Sequence, residues 1–481
     1  MLEHVKSAAP LKLGFLPTHR WGVFDIEAAG REKEKIARKL RDLKVEFLDI
    51  DWLNKQGLMY RATDAEAVAE RWRREGVDAV FAAHCNFGEE TAVGRVCKLL
   101  GKPVLLWGTR DEAPGPNGGR DRDTQCGLFA TSKLLRRLRL PFTYIINTSV
   151  DDPVFSAGLD VFLRAANVAR CVRGARIGQI STRPTPFTST MCNESELLER
   201  FDVELIPAQL PTVISEVLPR VDSRETAKEA RSIAARVDTS AVDDDHLRRI
   251  AALKLTIRDW AVRDRLDAVA IHCWDALAVP LGVVPCFLNG ELIDMGIPVA
   301  CETDVNGAIT SLALQAAARS ESAIFFADLT IRHPEDDNAE LLWHCGPFPT
   351  SLARPDARPT LTAHYMRKGL EPGVGNFELR GGPVTLGRFD GDNGEYRFLM
   401  GHVEGCDGPP TRGTYMWVRA RNWPLWEERL IYGPYIHHVV GVHGKLAPAL
   451  YEGVKYLGVE PECIDPTEDE IRAGLRGQAP L

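Results

Sequence analysis

The chain has 481 residues, too many for one hydrophobic core, so we expect two to three domains. Hydrophobic residues make up 44% of it and charged residues 26%, which is ordinary for a globular protein. The 59 lysines and arginines are outnumbered by 67 aspartates and glutamates, which gives a formal net charge of −8. This acidic balance argues against nucleic-acid binding, because phosphates require clustered cations.

The same sequence predicts the compartment. No apolar run approaches the ~20 residues that span a bilayer, and the N-terminal residues lack the apolar stretch of a signal peptide. The 11 cysteines are odd in number and show no CxxC spacing, which is typical of reduced thiols and argues against a structural zinc site. We therefore expect a cytoplasmic protein without a membrane segment.

Strands and helices alternate through residues 1–150, which predicts an N-terminal αβ domain with a doubly wound, mostly parallel sheet. The predicted strands are residues 11–16, 45–50, 79–83 and 103–107, and the predicted helices are residues 25–43, 64–75 and 89–100. Ligands of such sheets lie beyond the carboxyl ends of the strands, where two predicted loops contain Arg20 and Asn86. Neither loop is a GxGxxG turn, so a dinucleotide is not indicated, and plain polar loops remain an alternative.

A second αβ domain is predicted over residues 151–345. Its predicted strands are residues 175–180, 267–272, 297–301 and 323–327, and its predicted helices are residues 160–172, 194–200, 227–237, 245–265 and 307–318. We expect these elements to form a second doubly wound layer with a sheet of its own.

The pattern changes over residues 346–481. Proline and glycine become frequent, and short strands are predicted at residues 360–363, 376–379, 384–388, 397–402 and 414–418. This pattern is typical of an antiparallel sheet or small barrel, and helical character returns only near residues 446–456. The predicted fold class is therefore α/β, with two doubly wound αβ domains followed by a β-rich, barrel-like C-terminal domain.

Good metal ligands occur near the ends of predicted strands. Glu302 and Asp328 each follow a short apolar strand, and His344 and the pair His437-His438 come later in the chain. Because the carboxyl ends of parallel strands meet at one edge of a sheet, we expect the two carboxylates to converge there. Carboxylates with one or two imidazoles make a mixed oxygen and nitrogen site, which suits Mn²⁺ or Mg²⁺.

Each of these residues also has an ordinary structural explanation. Glu302 or Asp304 could cap the helix that begins near Gly307. A histidine pair flanked by glycines is more often surface structure than a ligand. Asp328 is different, because it follows five apolar or small residues and an unpaired charge there would be expensive to bury. A metal or another cation beside Asp328 is therefore expected.

Together these residues resemble the L-fucose isomerase and L-arabinose isomerase family. The segment 294–310, DMGIPVACETDVNGAIT, resembles the first metal-carboxylate motif of that family, and Asp328 lies where the second carboxylate falls. The pair His437-His438 resembles the C-terminal histidine motif, whose second member is the metal ligand. His344 has a counterpart in the arabinose isomerase branch but not in the fucose isomerase branch, so its role as a ligand stays open.

The resemblance implies a function. We expect an aldose–ketose isomerase that acts on a free monosaccharide through an ene-diol, with Glu302 and Asp328 as both metal ligands and the acid–base pair. The expected cofactor is Mn²⁺, with Mg²⁺ or Co²⁺ as substitutes, held by these carboxylates, His438 and His344. Which carboxylate is the acid and which the base stays open, as does the sugar: a pentose, a deoxyhexose or a C6-substituted hexose.

The positions of other residues in the sequence predict further contacts with the sugar. Trp274 follows a predicted strand, where its ring could stack on a sugar or belong to the core, and His437 could touch the sugar or orient His438. The resemblance implies that Arg20 and Asn86 act in the pocket of a neighbouring subunit, within a trimer-based homo-oligomer or hexamer. Two other function classes remain open: a metal-dependent aldolase or epimerase, and a non-catalytic sugar-binding protein.

Overall fold

The computed structural model describes residues 5–365 and 371–479, which fall into two compact units. The first unit contains residues 10–169 and 467–479, and the second contains residues 5–9 and 170–466 without the undescribed stretch. The division into three domains at residues 150 and 345 stays a prediction.

The first unit is built on a five-stranded parallel sheet. Its strands are β1 (Leu13–Thr18), β2 (Phe47–Leu48), β3 (Ala79–His84), β4 (Val104–Gly108) and β5 (Thr143–Tyr144), in the order β2-β1-β3-β4-β5. The helices are α1 (Ile26–Asp42), α2 (Ala65–Glu75), α3 (Glu90–Leu100), α4 (Thr124–Arg137) and α5 (Pro153–Val172), which continues into the second unit. The predicted αβ alternation is confirmed.

Local chemistry explains where these helices begin and end. Asp25 precedes α1 and its carboxylate accepts from two backbone N–H groups of the first turn, as expected of an N-cap. Helix α2 ends at Gly76, whose φ of 74° is a left-handed conformation that costs glycine little. Strands β1 and β3 are buried along their whole length, which is typical of central strands covered by helices on both faces.

The second unit contains a four-stranded parallel sheet. Its strands are β6 (Arg176–Ile180), β7 (Glu204–Ala208), β8 (Ala268–Ile271) and β9 (Val299–Ala300), in the order β7-β6-β8-β9. Its helices are α6 (Glu194–Phe201), α7 (Leu210–Val217), α8 (Arg224–Arg236), α9 (Asp244–Arg263), α10 (Asp275–Leu281), α11 (Cys286–Asp294) and α12 (Val305–Ala317). Helix α12 is buried along its length and packs against β8, β9 and the barrel described next.

The second unit also contains a closed antiparallel barrel. The strands after α12 are β10 (Ile324–His333), β11 (Asp336–His344), β12 (Thr360–Ala363), β13 (Pro372–Glu378), β14 (Pro383–Asp392), β15 (Glu395–Gly405), β16 (Thr414–Arg419), β17 (His438–His443) and β18 (Glu460–Asp465). Six of them close in the order β16-β11-β10-β17-β14-β15, because β15 pairs with β16 again. Strands β12 and β13 extend the sheet beside β16, and β18 extends it beside β15. The predicted barrel-like architecture is confirmed.

Three helices follow β16 in the chain: one lies before β17, one between β17 and β18, and one after β18. They are α13 (Trp423–Tyr432) and α14 (Ala447–Leu457) in the second unit and α15 (Glu468–Leu475) in the first unit. The expectation that helical character returns only near residue 446 was wrong, because α13 precedes it. Trp423 and Trp426 of α13 are buried in the apolar core beside β11, where they pack with barrel side chains.

One predicted strand belongs to a different sheet. Residues 323–327 were expected in the second parallel sheet, but they begin β10, an antiparallel barrel strand that continues through Asp328 to His333. Strands β10 and β11 therefore join the barrel although they precede residue 346. The reason is that a run of five apolar or small residues is equally suited to a buried parallel strand and to a barrel strand.

Among the described residues, no single helix is long and apolar enough to cross a membrane. By length and composition alone, one pair could do so together: α10 and α11, which are bent by 103° relative to each other.

Candidate metal and active site

The barrel and the second parallel sheet bring the predicted ligands together. Asp328 lies within β10 and pairs directly with His438, the first residue of β17. On its other side Asp328 pairs with Trp343, so His344 at the end of β11 lies at the same level of the barrel. Glu302 comes from the turn between β9 and α12. The expected convergence therefore occurs, although not through two neighbouring parallel strands.

The facing atoms of these side chains are separated by distances that suit one shared cation. The Nε2 atom of His438 is 3.6 Å from Oε2 of Glu302 and 3.5 Å from Oδ1 of Asp328. The Nε2 atom of His344 is 3.6 Å and 3.8 Å from the same two oxygens. Atoms bound to one cation at about 2–2.3 Å lie about 3–3.7 Å from each other. The cluster therefore has the size of a metal site.

The cluster also contains buried polar atoms whose hydrogen-bonding capacity is unmet. Within the described parts of the chain, Oε2 of Glu302, Oδ1 of Asp328 and Nε2 of His344 are buried without a hydrogen-bond partner. Leaving such an atom unpartnered costs about 1–3 kcal/mol, and more for a charged group. A divalent cation would satisfy both carboxylate oxygens, so the residues present fit a metal of the Mn²⁺ or Mg²⁺ type.

The electrostatics of the cluster favour added positive charge. Burial raises the pKa of Glu302, but His344 and His438 outweigh it and bring the pKa to about 2. Burial lowers the pKa of His344, but the Asp328 carboxylate and other neighbours raise it well above its usual value. A metal cation bound among these groups would likewise stabilise the negative charges of the carboxylates.

The backbone beside Glu302 is strained. Glu302 and Thr303 have φ values of 52° and 55°, a left-handed conformation that costs a non-glycine residue about 1–2 kcal/mol. Strand β8 and the loop after β6 hold this turn, because Thr303 donates its backbone N–H to Ile271 and its hydroxyl to the carbonyl of Thr182. Strain that the surroundings maintain is typical of functional turns.

The second oxygen of Glu302 is held by the loop after β8. Oε1 accepts from the indole N–H of Trp274 at 3.1 Å and from the Cys273 thiol at 3.2 Å. The ring of Trp274 packs edge-on against Phe187 at 5.0 Å. The structure therefore places Trp274 at the cluster as a partner of Glu302, and stacking of its ring on a sugar stays a prediction.

His437 lies at the exposed rim of the cluster. Its Nε2 atom is 3.9 Å from Oδ1 of Asp328, and 44% of its side chain is exposed. Burial of the remainder, together with His438, lowers the pKa of His437. A neutral imidazole at the rim could contact a substrate, as the sequence predicted.

Arg20 and Asn86 lie in the first unit, at the carboxyl ends of neighbouring strands β1 and β3. The backbone N–H of Arg20 donates to Oδ1 of Asn86 at 3.0 Å, and the guanidinium lies 4.7 Å from the ring centre of Phe87. The predicted position at the sheet edge is confirmed, and their contribution to a neighbouring subunit's pocket stays a prediction.

The sequence analysis missed the ion network behind His438. Asp304 caps α12 by accepting from the N–H of Gly307 at 2.9 Å, which confirms one of the expected caps, but it also faces Nδ1 of His438 at 2.8 Å. Arg388 and Asp390 of β14 complete the network. The available signal was an arginine inside the apolar strand 384–388, whose burial requires a carboxylate partner.

Comparison with known proteins finds similar sequences among sugar isomerases. A family model described as the N-terminal domain of fucose/sulfoquinovose isomerase matches residues 14–176. Sulfoquinovose isomerases from Priestia aryabhattai and Priestia megaterium are each 26% identical to the chain over 393 residues, which are 80% of this chain and 85% of theirs. By these matches the chain is similar to the fucose/sulfoquinovose isomerase family. The sulfoquinovose isomerase of Alkalicoccus urumqiensis is 25% identical to it over 333 residues, 69% of this chain and 73% of its own.

The matches extend well beyond the first unit of this protein. The family model ends at residue 176, whereas the Priestia enzymes align over 393 residues.

Proposed function

We propose that this protein is a divalent-metal-dependent isomerase that interconverts an aldose and a ketose. Its similarity to sulfoquinovose isomerases supports the coarser statement that it is a sugar isomerase. The observation that carries the finer one is the convergence of two buried carboxylate oxygens and two imidazole nitrogens, at separations of 3.5–3.8 Å.

Glu302, Asp328 and His438 would hold the metal, and His344 faces the same point. The oxygen-rich donor set favours Mn²⁺, with Mg²⁺ or Co²⁺ as substitutes. When bound, the cation would act as a Lewis acid that stabilises negative charge developing on the sugar oxygens. The residues themselves would place O1 and O2 of the open-chain sugar between the two carboxylates.

Glu302 and Asp328 would also move the protons of the reaction. Conversion through an ene-diol transfers a proton between C1 and C2 and another between O1 and O2. Glu302 is held at Oε1 by Trp274 and Cys273, so Oε2 keeps a fixed direction. Asp328 is fixed by its position within the β10 ladder. Two carboxylates on separate elements could therefore serve opposite faces of the C1–C2 bond.

We further propose that the substrate is a hexose with a sulfonate at C6. The similarity to proteins named sulfoquinovose isomerase supports this choice over a pentose or a deoxyhexose. The test is incubation of the Mn²⁺-loaded protein with sulfoquinovose, L-fucose and L-arabinose, followed by identification of the products. We expect a ketose from sulfoquinovose, and none with Asp328→Asn as the matched inactive control.

The same assay separates the other candidate reactions. Fragments from a broken C–C bond would indicate an aldolase, and an epimeric aldose would indicate an epimerase. Sugar binding without any product would favour a non-catalytic sugar-binding protein. Each of these three results would contradict the proposed isomerase.

We also propose that the protein is a homo-oligomer based on trimers, up to a hexamer. Exposed apolar side chains on α13, Ile431 at 72% and Tyr432 at 87%, support a contact between copies. Light scattering should give a mass near three or six times 53.3 kDa, and a monomer would contradict the proposal. The cytoplasmic location and the lack of nucleic-acid or membrane partners stay predictions.

A further inference from the structure

The two imidazoles of the cluster have different partners at Nδ1. In His438, Nδ1 lies 2.8 Å from Oδ2 of Asp304. In His344, Nδ1 accepts the backbone N–H of Cys345 at 2.9 Å. A neutral imidazole has one nitrogen that donates and one that accepts, so the partner of Nδ1 determines what Nε2 can do.

For His438 this leaves Nε2 with a free lone pair. A carboxylate accepts hydrogen bonds but cannot donate them, so Nδ1 must carry the hydrogen. The Nε2 lone pair then points at the oxygens of Glu302 and Asp328, 3.6 Å and 3.5 Å away. A metal-binding histidine usually donates its other N–H to a carboxylate, which is the arrangement found here.

For His344 the same reasoning gives the opposite result. With a metal cation bound in the cluster the ring of His344 is neutral, and a backbone N–H can only donate, so Nδ1 must accept and the ring hydrogen lies on Nε2. Nε2 faces the same carboxylates at 3.6 Å and 3.8 Å, beyond hydrogen-bonding distance. An N–H group cannot bind a metal, but it can donate to an oxygen of a sugar or water that lies in the cluster.

The partner of His438 is itself fixed. Asp304 accepts four hydrogen bonds: Oδ1 from Gly307 N–H at 2.9 Å and Arg388 at 3.2 Å, and Oδ2 from Arg388 and His438. These four bonds fill the acceptor sites of a carboxylate. Arg388 is held in turn by Asp390, at 2.9 Å and 2.6 Å. Asp304 therefore has one orientation, which keeps the hydrogen of His438 on Nδ1.

We infer that Asp304 and Cys345 assign opposite roles to the two histidines: His438 binds the metal, whereas His344 donates an N–H to substrate or water. Asp304 is then a positioning residue that acts through His438, supported by Arg388. This inference rests on the proposed function, because it assumes that the cluster binds a divalent cation. It also answers the question that the sequence left open about His344.

The direct test removes Nε2 from each histidine in turn while keeping the atom at Nδ1. Asparagine does this, since its amide reaches the position of Nδ1 and can either donate or accept. Mn²⁺ binding is measured by calorimetry on His438→Asn and His344→Asn. We expect His438→Asn to lose more than about 100-fold in affinity, beyond the usual loss for residues behind a ligand. We expect His344→Asn to stay within about 10-fold of wild type but to lose turnover.

A spectroscopic count of the bound nitrogens gives a second readout. Pulsed electron paramagnetic resonance of the Mn²⁺-loaded protein should detect coupling to one imidazole nitrogen. That coupling should persist in His344→Asn and disappear in His438→Asn. Two coupled nitrogens in the wild type, one of them lost in His344→Asn, would overturn the assignment of His344.

The positioning role of Asp304 is tested with a matched control. Asp304→Asn should weaken Mn²⁺ binding by about 10–100-fold. The control is Glu291→Gln, because Glu291 is another buried carboxylate with two cationic partners, Arg236 at 2.8 Å and Lys254 at 2.8 Å. We expect Glu291→Gln to lower the melting temperature but to keep wild-type metal affinity. Equal losses of affinity in both variants would show a general folding effect and overturn the role.

A double variant separates the inference from the proposed function. If Asp304 acts through His438, then Asp304→Asn should cause no further loss of Mn²⁺ affinity in a His438→Asn background. Independent, additive losses would overturn the positioning role alone. Failure of the wild-type protein to bind Mn²⁺ at all would instead contradict the proposed function, and the inference with it.

Discussion

Two buried groups of charged side chains lie side by side in the second unit, and they differ in how their polar atoms are satisfied. In the ligand cluster of Glu302, Asp328, His344 and His438, three facing atoms have no partner within the described residues. In the neighbouring ion network, Asp304 alone accepts four hydrogen bonds, and Arg388 is shared between two carboxylates. Burial is nearly complete in the ion network, and in the ligand cluster only Asp328 is partly exposed.

This difference distinguishes residues that can bind a ligand from residues that hold the binding residues in place. A network in which the donors and acceptors are all paired has no free atom to bind a ligand. Buried polar atoms without a partner destabilise the fold unless a ligand binds them. Glu302 and Asp304 are only two residues apart, yet they fall on opposite sides of this division. His438 belongs to both groups, with Nε2 in the cluster and Nδ1 bonded to the network.

The largest expected effect comes from removing the metal. Treatment of the protein with a chelator should abolish isomerase activity, and Mn²⁺ should restore it, with partial recovery in Mg²⁺ or Co²⁺. The reason is that removing the metal removes the Lewis acid that would stabilise negative charge on the sugar oxygens. Full turnover in a thoroughly metal-free sample would contradict the proposal that the ligand cluster works by binding a metal, which the ion network does not.

The next largest effect concerns the two carboxylates themselves. Glu302→Gln and Asp328→Asn should each lower kcat by at least about 10²–10⁴-fold, because each removes a proton-transfer group as well as a metal ligand. Both substitutions nearly preserve volume, so the circular dichroism spectrum should match that of wild type. Near wild-type turnover in either variant would mean that the residue is neither a ligand nor a proton carrier.

Substitution of Arg388 in the ion network should lower the free energy of unfolding. Arg388→Met would leave Asp304 and Asp390 buried without their cation, which typically costs about 3–5 kcal/mol. Arg388→Lys keeps the charge but loses the forked geometry, so a smaller loss is expected. Urea titration measures both, with Asp328→Asn as a control that should not lower stability. A fully stable Arg388→Met would contradict the structural role of the network.

The smallest expected effect comes from a third kind of buried carboxylate. Burial raises the pKa of Glu340 to about 7, and Arg332 offsets only part of that rise. Because the folded state holds this proton more tightly than the unfolded state, stability should fall as pH rises from about 4.5 to about 7. The full difference in pKa corresponds to about 3 kcal/mol, and solvent screening reduces the expected loss to about 1–2 kcal/mol. Glu340→Gln should reduce it, as measured by melting temperatures at pH 5 and pH 8, and an identical pH dependence in both proteins would contradict this explanation.

Much of the fold followed from local patterns. The parallel αβ alternation and the short C-terminal strands were predicted, because hydrophobic periodicity and helix caps are encoded within a few neighbouring residues. The sheet to which residues 323–327 belong was not, because an apolar run does not identify its pairing partners. Helix α13 was missed because its two buried tryptophans do not make a helical pattern on their own.

The residues of the candidate site also fall into those that the sequence predicted and those that it did not. Glu302, Asp328, His344 and His438 could be named from the sequence through a family resemblance, and the structure brings them together. Their supporting partners could not, because the contact between Asp304 and His438 joins residues far apart in the chain. The turn that orients Glu302 was also hidden, since two successive left-handed non-glycine residues leave no sequence signal.

The central claim is that the unmet atoms of the cluster bind one divalent cation. The most direct test is anomalous X-ray diffraction from crystals of the wild-type protein soaked in Mn²⁺, recorded at the manganese absorption edge. We predict one peak about 2–2.4 Å from Oε2 of Glu302, Oδ1 of Asp328 and Nε2 of His438, with Nε2 of His344 farther away. The absence of a peak among these atoms, under conditions where the protein is active, would contradict the claim.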